Sequence, residues 1–182
     1  MEEYTFKKST CERYDIRLKD GWGWAIITID ENGGLFNAQS DYGNYSYSWP
    51  CHGRKSFKHF ILELVKDKSY FLGKVADDNY YYQDETEEDF KEEVLRARKE
   101  HELDAKEARK LWNEIIEFDY SSKEGLENEL YSSSILAEYY PEPWYSFSVR
   151  KGCSPQAHGF CDKIMPILGE IIKKEIGESE VE

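Results

Sequence analysis

A chain of 182 residues is about one domain's worth, or one domain carrying an insertion, and its 40% apolar, 34% charged and 15% aromatic residues exclude collagen-like, mucin-like and wholly disordered classes. No apolar run approaches the roughly 18 residues of a membrane span, and the opening MEEYTFKKST lacks a secretory profile, so a soluble cytoplasmic protein is expected. The net charge of −13 is lopsided: residues 77–142 hold 21 acidic against eight basic side chains, a field that repels nucleic acid phosphates and excludes autonomous binding to bare DNA or RNA.

In chain order, Tyr14, Ile16 and Leu18 alternate with Asp15, Arg17 and Lys19, Asp20-Gly21 supplies a turn, and Trp22, Trp24 and Ile26 resume an apolar alternation through Ile29. Glu31-Asn32-Gly33-Gly34 and Asp41-Tyr42-Gly43-Asn44 are further turn signals. They flank a strand at Leu35 to Ser40 and precede one whose Tyr45, Tyr47 and Trp49 share a face. The pattern predicts an antiparallel meander of about four strands. Ser56 is a candidate cap for a helix striped by Phe57, Phe60, Ile61, Leu64 and Val65, which should cover the sheet. A shorter apolar piece, Tyr70 to Val75, completes this unit.

At Asp77 the composition turns acidic. Phe90, Val94 and Ala97 stripe one helix, and Asp104 with Glu107 has capping-box spacing before Ala108, Leu111, Trp112, Ile115 and Ile116. Ser121 with Glu124 repeats that spacing before a third helix, which Ser132-Ser133-Ser134 should end. After Pro141-Glu142-Pro143, the alternation of Tyr145, Phe147 and Val149 with Ser146 and Ser148 predicts a fifth strand rejoining the sheet. Phe160, Ile164, Leu168, Ile171 and Ile172 stripe a C-terminal helix, with Pro166 bending it or marking its start, and a polar tail from Gly177. The expected fold is α+β: an antiparallel sheet of about five strands covered by helices, with an acidic helical insertion. Residues 1–76 form the meander and its covering helices, 77–142 the insertion, and 143–182 the returning strand and C-terminal helix.

Three groups of residues could carry function. Asp41, His52, Arg54, Lys55, Lys58 and His59 cluster in sequence around the first helix's start. Two histidines as base and acid, with a lysine or arginine for the phosphorane charge, suit metal-free RNA cleavage, so His52, His59, Asp41 and Lys55 are the catalytic candidates. The plain alternative is that His52 caps a turn and His59 flanks a packed helix. Asp77, Asp78, Asp84, Glu85, Glu87, Glu88 and Asp89 could imitate a row of phosphates in an arginine-lined groove, with Tyr80, Tyr81 and Tyr82 supplying rigid contact area. The competing reading is a solvated helix face. No EF-hand spacing is present. Cys11, Cys51, Cys153 and Cys161 contain no CxxC pair, and Cys51-His52 with Cys153, His158 and Cys161 makes only a loose zinc set against ordinary reduced thiols, so neither metal nor cofactor is expected.

The stretch Gly21-Trp22-Gly23-Trp24 through Ser40-Asp41-Tyr42-Gly43-Asn44-Tyr45-Ser46-Tyr47-Ser48-Trp49, followed by Ser56-Phe57-Lys58-His59-Phe60, resembles a group of small phage-encoded proteins over roughly residues 13–75. Some proteins of that size and origin are anti-CRISPR proteins, and the whole chain is similar to a streptococcal-type inhibitor of the type II RNA-guided DNA nuclease. The resemblance implies action in the bacterial host's cytoplasm on the nuclease–guide RNA complex, with guide RNA met only inside that complex. It implies that the guide RNA is compromised, by truncation in the nuclease's presence, rather than that the DNA channel is blocked, with pure occlusion by an acidic mimic as the alternative. A phage interaction protein with no CRISPR role stays open beside both.

Overall fold

The computed structural model describes residues 3–19, 21, 23–140 and 142–179. The early alternation becomes a four-stranded antiparallel sheet in the order β1-β2-β3-β4, with β1 at Glu12–Arg17, β2 at Trp24–Asp30, β3 at Leu35–Ser40 and β4 at Gly43–Ser48. Ile16, Ala25, Ile27, Ile29, Phe36, Ala38 and Tyr45 form its buried face. Ile27 lies opposite both Tyr14 and Ala38, and a slip of one residue would turn this whole set to solvent. Trp24 and Ile26 fall on the other face, half-buried, so the expected apolar alternation in β2 is displaced by one position. Both phases of that strand are apolar, and periodicity alone cannot choose between them. Asp20 and Trp22 lie outside the described residues. Gly34 closes the β2–β3 turn at a φ of +64°, where a Cβ would fall 2.2 Å from the Trp49 carbonyl oxygen, so no other residue fits.

After β4 come α1 (Phe57–Lys66) and α2 (Lys68–Val75). Ser56 caps α1 as its sequence position predicts, its Oγ accepting the His59 amide. The Glu31 carboxylate, reaching from the β2–β3 turn, accepts the Phe57 and Lys58 amides at 2.8 and 3.2 Å. A negative group thus sits at the helix's positive end and ties the helix to the sheet.

The chain then leaves this unit. Residues Asn79–Gly152 form a second compact unit, while Met1–Asp78 and Cys153–Glu182 together form the first. The second unit opens with β5 (Tyr80–Tyr81) and closes with β6 (Lys151–Gly152), which pair antiparallel. Between them run α3 (Gln83–Lys99), α4 (Ala105–Ile116), α5 (Lys123–Ser132), α6 (Ser134–Tyr139) and the single turn α7 (Pro143–Ser146). Thr86, Phe90, Val94 and Ala97 form the buried seam of α3. Phe90 meets Phe147 edge-on at 5.2 Å and Tyr120 at 5.8 Å. The capping box of α4 forms in full, with Asp104 accepting the Glu107 amide and Glu107 accepting that of Asp104.

Three expectations for this stretch are corrected. Ser122, not Ser121, caps α5, accepting the Gly125 amide. Ser133 is buried and starts α6 by accepting the Leu136 amide, so the serine run restarts helix as well as ending it. The predicted fifth strand at 145–149 is absent. Pro143 occupies the first turn of α7, its φ suiting a helix start, and buried Phe147 follows that turn into the second unit's core. The sheet therefore keeps four strands. The short β5–β6 pair accounts for the remaining strand structure among the described residues, which confirms an α+β fold.

Back in the first unit, α8 (Pro155–Gly159) runs through a wide turn at Phe160–Ile164 into α9 (Met165–Ser179). The Met165 amide bonds the Phe160 carbonyl five residues back, immediately before Pro166. Proline has no amide to continue the ordinary ladder, and the widened turn absorbs its ring without ending the helix. Phe36, Phe71 and Phe160 meet at ring separations of 5.5 to 6.5 Å in the core under the sheet.

One polar group joins three elements of this unit. Lys58 Nζ lies 2.6 Å from Glu12 on β1 and 2.9 Å from Glu175 on α9, and the Tyr14 hydroxyl reaches the same two carboxylates. Burial opposes the charged form of Lys58, but its hydrogen bonds to both glutamates outweigh that and push its pKa up. Burial likewise opposes ionisation of Glu12, yet hydrogen bonds from Lys58 and Tyr14 hold its pKa below the ordinary 4.5. The Glu12 contribution is therefore present above about pH 4.5 and is lost as pH falls through its lower folded value. The Lys58 contribution is complete below its ordinary 10.5 and fades only as pH rises through its higher folded value. Lys58→Ala should lower unfolding free energy by on the order of 2 kcal/mol at neutral pH and flatten the acid limb of the stability curve. Denaturant unfolding across pH tests this, and an acid limb unchanged from the parent would refute the coupling.

Candidate functional site

The four catalytic candidates do not meet. Asp41 sits in the β3–β4 turn, accepting the Trp24 amide at 3.0 Å. His52 follows the opposite end of β4, about 20 Å away at the rise of an extended strand. His52, Lys55 and His59 do gather around the start of α1, but both rings have structural work. The half-buried His52 accepts the Arg54 amide through Nδ1 at 3.3 Å and lies against Phe57 and Phe60, with ring centroids 5.5 and 6.0 Å apart. His59 Nδ1 is 2.7 Å from Ser56 Oγ, so its ring braces the cap of its own helix.

The nearby groups suited to holding a phosphate hold the chain's own carboxylates instead. Arg54 pairs with Glu63 at 2.6 Å, Lys58 with Glu12 and Glu175, and the first amides of α1 with Glu31. An incoming phosphate would have to displace several of these at once. Sequence reasoning missed Glu31 because the turn that carries it meets the helix only in three dimensions.

The acidic candidates separate by helical phase. Asp84, Glu85, Glu87, Glu88 and Asp89 all lie on α3, but Glu87 is paired with Lys91 and Asp89 with Arg150. Asp84, Glu85 and Glu88 point away from the buried seam, are exposed, and make no ion pair among the described residues. Glu92, one turn beyond Glu88, extends the same row; its i+4 spacing was the signal available in the sequence. Arg96 meanwhile pairs with Glu93, Glu100 and Glu102 on the flank of the helix, and those hydrogen bonds raise its pKa.

The remaining binding candidates play different parts. Asp77 and Asp78 are exposed at the end of the first unit, ahead of β5. Tyr80 is exposed, and its ring stands edge-on to that of Tyr82 at 5.0 Å beside the start of α3. Tyr81 is half-buried and packs against the core of the second unit. Behind these tyrosines, Thr86 Oγ1 donates to the Tyr82 carbonyl at 2.6 Å and accepts the Arg150 amide at 3.0 Å, fixing α3 to the β5–β6 pair.

Among the described residues, no group of three or more His, Cys, Asp or Glu side chains is arranged to hold a metal ion. Cys51, Cys153 and Cys161 differ in exposure, and burial pushes the Cys161 thiol up to about 11. Such a thiol stays protonated at neutral pH and is a poor ligand or nucleophile. No described helix is long and apolar enough to cross a membrane.

The chain matches neither a curated protein nor a solved structure. The sequence model of a phage family, Phage_phiTE_072, matches residues 4–174, which takes in both units. With nearly its whole length matched, the chain belongs to this phage family.

Proposed function

We propose that this phage protein is a non-catalytic inhibitor of a type II RNA-guided DNA nuclease–guide RNA complex, laying the outward face of α3 into that complex's cationic nucleic-acid channel. The observation that carries the reading is the row Asp84, Glu85, Glu88 and Glu92. Its four charges span about 12 Å of helix axis, or one per about 4 Å, close to the roughly 3.4 Å per phosphate of one strand in a duplex. A helix presents these charges with no backbone left to order, only their side chains, and Tyr80 with Tyr82 adds an aromatic contact beside the acidic end. The choice of target rests on the sequence resemblance, and phage membership is compatible with it. Membership alone equally suits a cationic phage partner outside any CRISPR system, which is the second reading.

Occlusion is favoured over guide RNA cutting because Asp41 stands far from the histidines and His52 and His59 are used locally. The test is plasmid cleavage by the reconstituted nuclease–guide complex with added protein. Inhibition that weakens with salt is expected, together with a full-length guide on a denaturing gel. A shortened guide would overturn occlusion. No inhibition by the parent protein would overturn the choice of target, and a pull-down from infected cells would then address the second reading.

Two sets of substitutions probe the surface. Reversing Asp84, Glu88 and Glu92 to lysine should weaken inhibition by about tenfold or more, because each change replaces an attraction with a repulsion. His52→Ala and His59→Ala should leave inhibition within about twofold of the parent at concentrations where the variants stay folded by circular dichroism. Loss of inhibition in either folded histidine variant would count against a non-catalytic mode.

A further inference from the structure

The second unit also carries a surface of the opposite chemistry. Between α3 and α4 lies a groove of about 380 Å³ floored by Val94, Leu95, Ala108 and Trp112 and flanked by Arg98 and Arg109. Leu95 is 56% exposed there, a large aliphatic side chain left in water. Ile116, one turn beyond Trp112 on α4, is 45% exposed and lengthens the apolar track. From Ala105 to Ile116 that track runs about 16 Å, or three turns of a partner helix.

The groove's two arginines, like Lys99, Lys106 and Lys151, stand outside the ion pairs on this unit's surface among the described residues. Lys91, Arg96, Lys110, Lys123 and Arg150 are all tied to carboxylates. Arg98 makes only a long bond of 3.5 Å to the Leu103 carbonyl, and Arg109 makes no ion pair among the described residues. The Asp104 carboxylate already feels the charge of Arg98, but neither guanidinium is held in a close ion pair among the described residues, so both can meet an anion delivered beside the apolar surface. Guanidinium is weakly hydrated and binds carboxylates in a fork, so it suits an acidic group delivered beside an apolar one.

We propose that this groove is a docking site for an acidic amphipathic helix of a partner protein, with apolar side chains at i, i+3 or i+4 and i+7 entering along Leu95, Trp112 and Ile116 while carboxylates on its flanks engage Arg98 and Arg109. The site differs from the proposed acidic face in its partner, anionic rather than cationic, and in its lining residues, although Leu95 adjoins that face one turn beyond Glu92. A groove this short accepts two or three anchors, which limits affinity to the range typical of regulatory contacts.

The test uses the full chain and a synthetic helical peptide with leucines at i, i+4 and i+7 flanked by glutamates, followed by fluorescence anisotropy. The peptide should bind at least tenfold more tightly than a scrambled peptide of the same composition. Arg98→Glu with Arg109→Glu should weaken it by about tenfold or more, and a lysine-flanked version of the peptide should recover binding to that double variant. Leu95→Ala should weaken binding without changing this charge preference. Equal binding of ordered and scrambled peptides, or no effect of the arginine reversals, would overturn the proposal. So would self-association of the chain, by sedimentation, that the reversals abolish, since it would assign the groove to a second copy. The double arginine variant should keep nuclease inhibition, so failure of one reading is distinguishable from failure of the other.

Discussion

The rotational phase of α3 governs what the second unit can present. Thr86, Phe90, Val94 and Ala97 must face inward, because Phe90 is held between the rings of Phe147 and Tyr120, and Thr86 bonds both the Tyr82 carbonyl and the Arg150 amide. Once those four positions are fixed, the 3.6-residue period leaves Asp84, Glu85, Glu88 and Glu92 facing water, puts Leu95 two turns beyond Glu88 on that same exposed face, and turns Arg98 from there toward α4. One apolar seam thus determines an acidic surface and a cationic, apolar groove on the same helix. Turning the helix by one residue would bury a carboxylate, at a cost that no available partner offsets.

The same carboxylates are not all alike, although composition counts them equally. Asp104 and Glu107 form a capping box, Glu129 accepts the Asp119 amide, and Glu114 accepts the Ser133 hydroxyl. Glu87, Glu93, Glu100, Glu102, Glu127, Glu138 and Asp89 face lysines or arginines. An acid-rich sequence can fold this way because helix starts and nearby cations absorb much of the repulsion. What is left for a partner is a small, oriented part of the total charge. A partner that senses orientation needs that remainder to be rigid more than it needs it to be large.

How much of this the residues foretold varies with the distance over which each feature is determined. The α4 capping box and the Ser56 cap are local, within three residues of sequence, and both form as their spacing predicts. The meander is nearly as local, since each turn joins adjacent strands and carries glycine. The displaced phase of β2 and the missing fifth strand depend on what lies opposite. Phe147 could have alternated with its neighbours in a sheet, but the aromatic seat offered by Phe90 and Tyr140 lies in the helical unit, and Pro143 starts a turn toward it. The gathering of Asp41 with His52 failed for a related reason. Eleven positions are close along a chain, but a hairpin arm between them holds its ends about 20 Å apart. The outward acidic row was visible as composition and could be resolved into paired and unpaired members only when Arg150, far along the sequence, arrived beside Asp89.

The first unit applies the opposite rule to its charges. Lys58 is nearly surrounded, with Glu12 and Glu175 brought to it from β1 and α9, while Glu31 fills the start of α1. These charges around α1 are satisfied internally, so they tie its elements together and offer little to a partner from outside. In the second unit, satisfaction stops short in two places, carboxylates unmatched along the outward face of α3 and arginines without close ion pairs where α3 meets α4. A protein that binds through charge needs that asymmetry: an internally neutralised surface gives a partner no orientation to recognise, and an unpaired surface without a rigid seam behind it would lose in ordering entropy what it gained in attraction.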